Sequence, residues 1–507
     1  MSVLTLPLPA AKPATPGTPG TPAVEMDAAA RAHARRWLVL AVLGVAQLMV
    51  VLDATIMNVA LPSAQTALGF SDTDRQWVVT AYALAFGSLL PLGGRLSDLL
   101  GRRTTFLVGL AGFAGASALG GAAQNFETLV TARALQGVFG ALLAPAALSL
   151  LTTTFTDPKE RAKAFAIFGA LAGTGGAIGL LLGGALTTYA SWRWAMYVNV
   201  AFAAVAFAGV LALLPKIARA GKVSLDLKGT LAVSAGLFSL VYGFSHAETN
   251  GWSNAVTVGF LVASAVFLAA FAVLQTRVAN PLLPPRVLMD RTRGGSYLAV
   301  LFTGAGMFAV FLFLTYYLQA IQGYSAIRTG VAFLPMVGAL VVTAQVANLV
   351  LLRRVGARVL VTLGLAVSAL GMSDFTVLSV DGEYATQVLP GLLVLGMGIG
   401  LVFAPAMQAA VSGVEARDAG VASAMVNTMQ QVGGSVGLAL LGTVAADSFT
   451  SHLGDGATAQ QAMVESYVTA FWWASAIFAV GAVVVGFLLK SGNLPQPAEG
   501  AEPVMAH

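Results

Sequence analysis

The stretch Gly94-Arg95-Leu96-Ser97-Asp98-Leu99-Leu100-Gly101-Arg102-Arg103 joins two apolar runs, 76–93 and 104–122. Each run is long enough to cross the ~30 Å of a bilayer's hydrocarbon core as a helix. The glycines permit a tight turn and a close approach of the flanking helices. The carboxylate and the arginines suit the interfacial zone, where they can pair or cap helix ends. A plain basic loop explains the arginines but not Asp98 with two glycines at fixed spacing. A short charged turn between two membrane-length runs places the fold inside the bilayer.

The rest of the chain repeats this pattern. Of its 507 residues 57% are hydrophobic and only 10% charged, against roughly 25% charged in a soluble domain. Apolar run length predicts helices near 37–58, 76–93, 104–122, 128–151, 162–186, 194–214, 229–246, 254–275, 295–318, 329–350, 358–379, 386–408, 418–444 and 466–489, fourteen spans with short loops. That leaves no room for a large soluble domain and excludes a cytosolic enzyme. Of the 27 lysines and arginines, all but Arg75, Arg133, Arg193 and Arg328 fall in the tails and in alternate loops. The positive-inside rule then puts both termini in the cytoplasm, and the Ala/Gly/Val-rich, Lys-poor composition suggests a bacterial plasma membrane. The net charge of +5 is thus an orientation signal, and no nucleic-acid partner is implied. With no Cys, and four His that lie in termini or near helix ends, neither a disulfide nor a metal site nor any cofactor is expected.

An internal repeat organises the spans. Gly175–Gly184 resembles Gly433–Gly442, Pro145-Ala146 resembles Pro405-Ala406, and Gly101-Arg102-Arg103 resembles Gly356-Ala357-Arg358. The offsets agree within five residues, and the two helices and linkers of 215–294 supply the extra length the repeat needs. The expected plan is an all-α membrane protein: a disordered tail 1–34, a six-helix bundle 35–214, two inserted helices within 215–293, a second six-helix bundle 294–489 and a tail 490–507. Paired bundles with a site near the midplane are a recurring transporter architecture.

Specific motifs sharpen this. Gly94–Arg103 closely resembles the G-x-L-[S/A]-D-x-x-G-[R/K]-[R/K] signature of the major facilitator superfamily. Leu52-Asp53-Ala54-Thr55-Ile56-Met57-Asn58-Val59-Ala60-Leu61-Pro62 resembles the helix 1 signature of its fourteen-helix drug:proton antiporter branch, and Arg133-Ala134-Leu135-Gln136-Gly137 is similar to the family's R-x-x-Q-G motif. The run Ser191–Asn199 completes the resemblance, which covers helices 1–6 well and the last six mainly by topology. It implies a latch at Gly94, Asp98, Gly101, Arg102 and Arg103 on the cytoplasmic side, and a part for Arg133 in proton coupling.

The residues support those assignments independently. An ionised Asp53 deep in a span is costly, so it must be protonatable or paired. Arg133 is the one cation inside a span; it cannot shed its charge and needs partners. Gly175, Gly179, Gly183 and Gly184 match the family's antiporter motif, with Leu180 where the motif has proline. Glycines four apart allow close helix packing, whereas the kink that proline would give is lost. Asn58, Gln136, Tyr316, Gln319, Gln345, Asn427 and Gln430 are candidates for a substrate path. Asp374 lies seven residues from outer-loop Asp381 and reads as an interfacial acid.

The resemblance therefore implies a proton-coupled exporter of a small amphipathic drug or antibiotic, expected to be a monomer. Its partners are that compound, protons and the lipid bilayer. No G-x-x-x-x-G-K-[S/T] occurs, so no nucleotide is involved. A proton-coupled metabolite symporter is the alternative that Leu180 favours, and a membrane-embedded enzyme is one from another class. The topology is directly testable in this Cys-free chain. A cysteine placed at Ser224 is expected to react with impermeant reagents only from the cytoplasm, and one at Ser253 only from outside; outside labelling at both would overturn the fourteen-helix plan.

Overall fold

The computed structural model describes residues 21–71, 74–155, 157–214, 226–278, 281–412, 414 and 419–490. Among these there is helix and turn and no strand. The long helices are α1 (Thr21–Leu68), α2 (Arg75–Leu100), α3 (Arg102–Gly121), α4 (Phe126–Thr154), α5 (Pro158–Tyr189), α6 (Trp194–Leu213), α7 (Leu227–Asn250) and α8 (Ala255–Arg277). There follow α9 (Arg291–Ile321), α10 (Ala326–Leu351), α11 (Arg354–Val377) and α12 (Tyr384–Ala410), then α13 (Ala419–Gly454) and α14 (Ala459–Leu488). Thirteen of the described helices are long and apolar enough to cross a membrane, and α5 contributes a further apolar segment, Gly175–Tyr189. With fourteen antiparallel helices α1 begins and α14 finishes at one end of the bundle, the terminal end; the opposite end is called distal below.

Local chemistry sets the helix boundaries. Asn125 accepts from Thr128 N at 2.9 Å, Asn254 from Val256 N at 2.9 Å, and Asp290 from the amides of Thr292 and Arg293. These caps satisfy amides that lack intrahelical partners. Thr458 and Gln461 form a capping box at the start of α14. Gly101 has φ +90°, which lets α2 turn into α3 through a single residue, and its repeat counterpart Gly356 has φ +77°. Only glycine takes such a conformation without strain.

Several helices exceed their apolar runs. Helix α1 continues through Pro62 to Leu68 and reaches back to Thr21, so residues 21–34 of the expected tail are helical, while residues 1–20 and 491–507 lie outside the described residues. Helix α13 runs to Gly454 rather than to 444. In both cases the polar residues that end the apolar run do not end the helix.

The repeat visible in the sequence is a repeat of packing. In the first half α2 packs on α4, α3 on α4 and α6, and α1 on α5 and α6; in the second, α10 packs on α12, α11 on α12 and α14, and α9 on α13 and α14. The glycines make this close. A Cβ on Gly175 would lie 3.0 Å from Val51 Cγ1, and one on Gly183 2.9 Å from Ile56 Cα, while Gly433 and Gly437 meet Leu301 and Ala305 on α9 in the same way. The halves meet along α2 with α13 and α5 with α10, and the inserted pair α7–α8 lies against the first of these seams, through contacts of α7 with both α2 and α13.

The distal part of the other seam is tight enough to test. Gly330 of α10 faces the backbone carbonyl of Leu180 on α5 with no room for a Cβ, whereas Gly338 has open space. Gly330→Ala should destabilise the purified protein by about 1–3 kcal/mol, the cost of overpacking. Gly338→Ala should hold or raise its melting temperature, since alanine favours helix. Equal melting temperatures for the two would show that the seam yields freely.

Candidate functional site

Asp53 sits near the middle of α1's membrane-length segment, Arg35–Leu68, and is 1% exposed. A carboxylate there must find compensation, and four other helices provide it. Arg133 on α4, also 1% exposed, donates from Nη1 to Asp53 Oδ2 at 2.6 Å. The other carboxylate oxygen, Oδ1, accepts from Gln136 Nε2 at 2.8 Å and from Asn199 Nδ2 on α6 at 2.7 Å. Gln136 sits one helical turn from Arg133 and accepts from its Nη1 at 2.9 Å, while its own Nε2 also reaches Ser117 Oγ on α3 at 2.7 Å. Helix α2 completes the shell: Arg133 Nε donates to Val78 O at 3.0 Å, and the guanidinium lies 4.5 Å from the Tyr82 ring centroid, a favourable desolvated cation–π contact.

Taking both charges out of water costs several kcal/mol per ion, so such a pair persists only with excellent geometry and further hydrogen bonds. Here both carboxylate oxygens and several guanidinium protons are engaged. The cluster is neutral as a whole, but each charge depends on the other. A proton added to Asp53 would leave Arg133 as an uncompensated cation in a low-dielectric interior.

The sequence identified Asp53 and Arg133 and placed Gln136 among the substrate-path candidates. The structure puts Gln136 inside the charge cluster, bonded to both members of the pair. Asn199, Ser117 and Tyr82 escaped the sequence-based selection. Their signal was present: Asn199 is the only side-chain amide in Trp194–Leu213, and Ser117 the only serine in Arg102–Gly121.

Other candidates fall elsewhere. Tyr316 and Gln319 join the halves at the distal end: Tyr316 Oη donates to Gln65 Oε1 at 2.6 Å, Gln319 Nε2 to Val59 O at 3.1 Å, and Arg75 lies 3.9 Å from the Tyr316 ring centroid. Gly184 closes on the Ala326–Ile327 backbone, and Thr188 Oγ1 accepts from Ile327 N at 3.2 Å. Leu180 is fully buried, and α5 runs through it unbroken. Asn58 is buried. Asn427 and Gln430 are half-buried on α13, and Gln345 is exposed on the terminal half of α10. In the Gly94–Arg103 segment Gly94 lies against Pro145 of α4, and Thr105 Oγ1 donates to Leu96 O at 3.3 Å, tying α3 to α2. The Asp98 side chain lies outside what is described. Asp374 opens a short 3-10 turn at the distal end of α11.

The interdependence of the two charges can be measured. Arg133→Met should cost about 3–5 kcal/mol, because it strands a buried carboxylate. Adding Asp53→Asn to it should recover most of that loss in denaturation of the purified protein. Equal stabilities for the single and double variants would mean that the pair has no mutual dependence.

Comparison with known proteins gives a consistent family context. The sequence profile of the Major Facilitator Superfamily matches residues 43–438. A puromycin resistance protein of Streptomyces alboniger is 48% identical over 482 residues, covering 94% of this chain and 95% of that protein. A cephamycin export protein of Amycolatopsis lactamdurans is 40% identical, covering 81% and 86%. Among solved structures, an auto-inhibited peptide transporter of the POT family superposes with a TM-score of 0.68 at 16% identity, covering 92% of this chain and 99% of that one.

Proposed function

We propose that this chain, which belongs to the Major Facilitator Superfamily, exports a small amphipathic antibiotic across a bacterial plasma membrane in exchange for inward-moving protons. That it is a multi-pass membrane transporter and not an enzyme follows from the family and the fold. The export direction and substrate class draw on relatives named for puromycin resistance and cephamycin export. The proton coupling rests on one observation: a carboxylate and an arginine buried together within membrane-length helices and sealed by amides.

The chemistry follows from the pair's interdependence. With the termini cytoplasmic, the distal end faces outward, and here it is closed by Tyr316, Gln319, Gly184 and Gly330. In this state Asp53 is paired with Arg133 and sealed from water. Opening the outer side would expose Asp53 to the higher external proton concentration, and protonation would break the charge balance with Arg133. The halves would then have to rearrange before the proton left towards the cytoplasm and the pair re-formed. Substrate loaded from inside leaves during the outward-facing interval. The half-buried amides of α13 beside the α2 seam, Asn427 and Gln430, are suited to line its route, and the Gly94–Arg103 turn to hold the cytoplasmic ends together when the outer side opens.

In proteoliposomes, with puromycin as the first compound tried, Asp53→Asn should abolish drug-induced proton movement and gradient-driven accumulation, since an amide cannot alternate between charged and neutral forms. Arg133→Lys should keep a fraction of both, because the charge stays while the planar fork is lost. Exchange by Asp53→Asn at the wild-type ratio would place the coupling carboxylate elsewhere.

A further inference from the structure

The two amides that meet Asp53 Oδ1 are not equivalent. Gln136 is fixed at both ends of its amide: Oε1 accepts from Arg133 Nη1 at 2.9 Å, and Nε2 donates to both Asp53 and Ser117. Rotating it would set its amino group against the guanidinium. Asn199 makes one side-chain hydrogen bond, from Nδ2 to Asp53 Oδ1 at 2.7 Å. Its own Oδ1 is fully buried, with no hydrogen-bond partner, and the residue is 0% exposed. A buried carbonyl without a donor is costly, and this one sits on the carboxylate that the coupling reading protonates.

The geometry also says where a proton can go. Oδ2 faces the Arg133 N–H, a donor with no lone pair to offer. Oδ1 faces only amides, and that of Asn199 has no hydrogen bond anchoring its oxygen. A carboxylic O–H there needs an acceptor. The Gln136 amide presents Nε2 to Oδ1 and turns its carbonyl to Arg133, whereas the Asn199 carbonyl is available after a half-turn about its terminal torsion. Such a turn creates no new deficit: in one orientation the amide leaves its oxygen unpaired, in the other its nitrogen.

We propose that Asn199 is a positioning residue for the coupling proton, a reversible amide that donates to Asp53 when it is ionised and accepts from Asp53 Oδ1–H when it is protonated. A proton arriving from water bonds to Oδ1, the Nδ2–H···Oδ1 hydrogen bond breaks, and an Oδ1–H···O=C hydrogen bond to Asn199 forms. On release the proton returns to water on the other side, the carboxylate is regenerated and the amide turns back. The inference rests on Asp53 being the carboxylate that titrates. It assigns to α6 a role in setting which carboxylate oxygen carries the proton.

Infrared difference spectroscopy on reconstituted full-length protein, across a pH step, separates the two ideas. A carboxylic C=O band that appears on acidification in wild type and is missing in Asp53→Asn identifies protonated Asp53. Its persistence in Asp53→Asn would refute the coupling reading itself. If the band is Asp53's, Asn199→Leu, of similar bulk but with no polar atoms, should shift its frequency and slow drug–proton exchange roughly three- to tenfold, the worth of one ordinary hydrogen bond. An unshifted band in Asn199→Leu would overturn the role of Asn199 while leaving that of Asp53 intact. A second measurement needs no substitution at 199. With asparagine side-chain carbonyls carbon-13 labelled, acidification should shift one amide band in wild type and none in Asp53→Asn. No such shift in wild type would overturn the proposal.

Discussion

An arginine buried within a membrane-length helix bundle cannot give up its charge, and that constraint organises the first half of this protein. Arg133 demands a carboxylate, and Asp53 supplies it; the pair then demands that its remaining donors and acceptors be met, which brings α2, α3 and α6 around it. The second half has the same packing without the demand. The offset that aligns Pro145 with Pro405 takes Arg133 to Leu393, and the offsets seen elsewhere in the repeat take Asp53 into Phe308–Phe313, a run of apolar residues. One helical scaffold is thus used twice, once around a charge pair and once around an aromatic and aliphatic core that includes Phe311, Phe313 and Phe333.

The charge pair is mechanically connected to the contact between halves. Helix α1 carries Asp53 and, six residues on, the Val59 carbonyl that receives Gln319 from the other half. Helix α5 presents Gly175, Gly179 and Gly183 to α1 at Val51, Thr55 and Ile56, and presents Leu180 and Gly184 to α10. The same two helices therefore hold the buried carboxylate and seal the distal end. Because close glycine packing leaves no slack on either face, a shift of α10 against α5 cannot be absorbed locally and must be felt on α1.

How much of this was legible in the sequence depends on the kind of information involved. Span count, alternation of charge and the repeat were readable because hydrocarbon thickness and interfacial electrostatics act on local composition. Helix ends were less so. The apolar run predicted an end at 58, yet α1 continues through Pro62 to Leu68, and the polar stretch after 444 hid ten more residues of α13. Asp53 and Arg133 stood out as costly residues, but their partners did not, because convergence across 146 residues between Asp53 and Asn199 leaves no trace in spacing. Tyr316 and Gln319 looked like path residues for the same reason. An amide in a span is visible in sequence, whereas the helix it faces is set by tertiary packing.

Burial itself then argues for movement. Asp53, Arg133, Gln136 and Asn199 are each at most 1% exposed, and the distal end above them is closed by side-chain and backbone contacts from both halves. On the coupling reading, a proton can reach Asp53 only after the helices part, and once bound it removes half of the interaction that held them in place. Access and release are therefore two sides of one energetic problem. On that reading the proton binds while Arg133 leans on its other partners, the Val78 carbonyl and Gln136, and restoring the full Asp53–Arg133 ion pair drives it out.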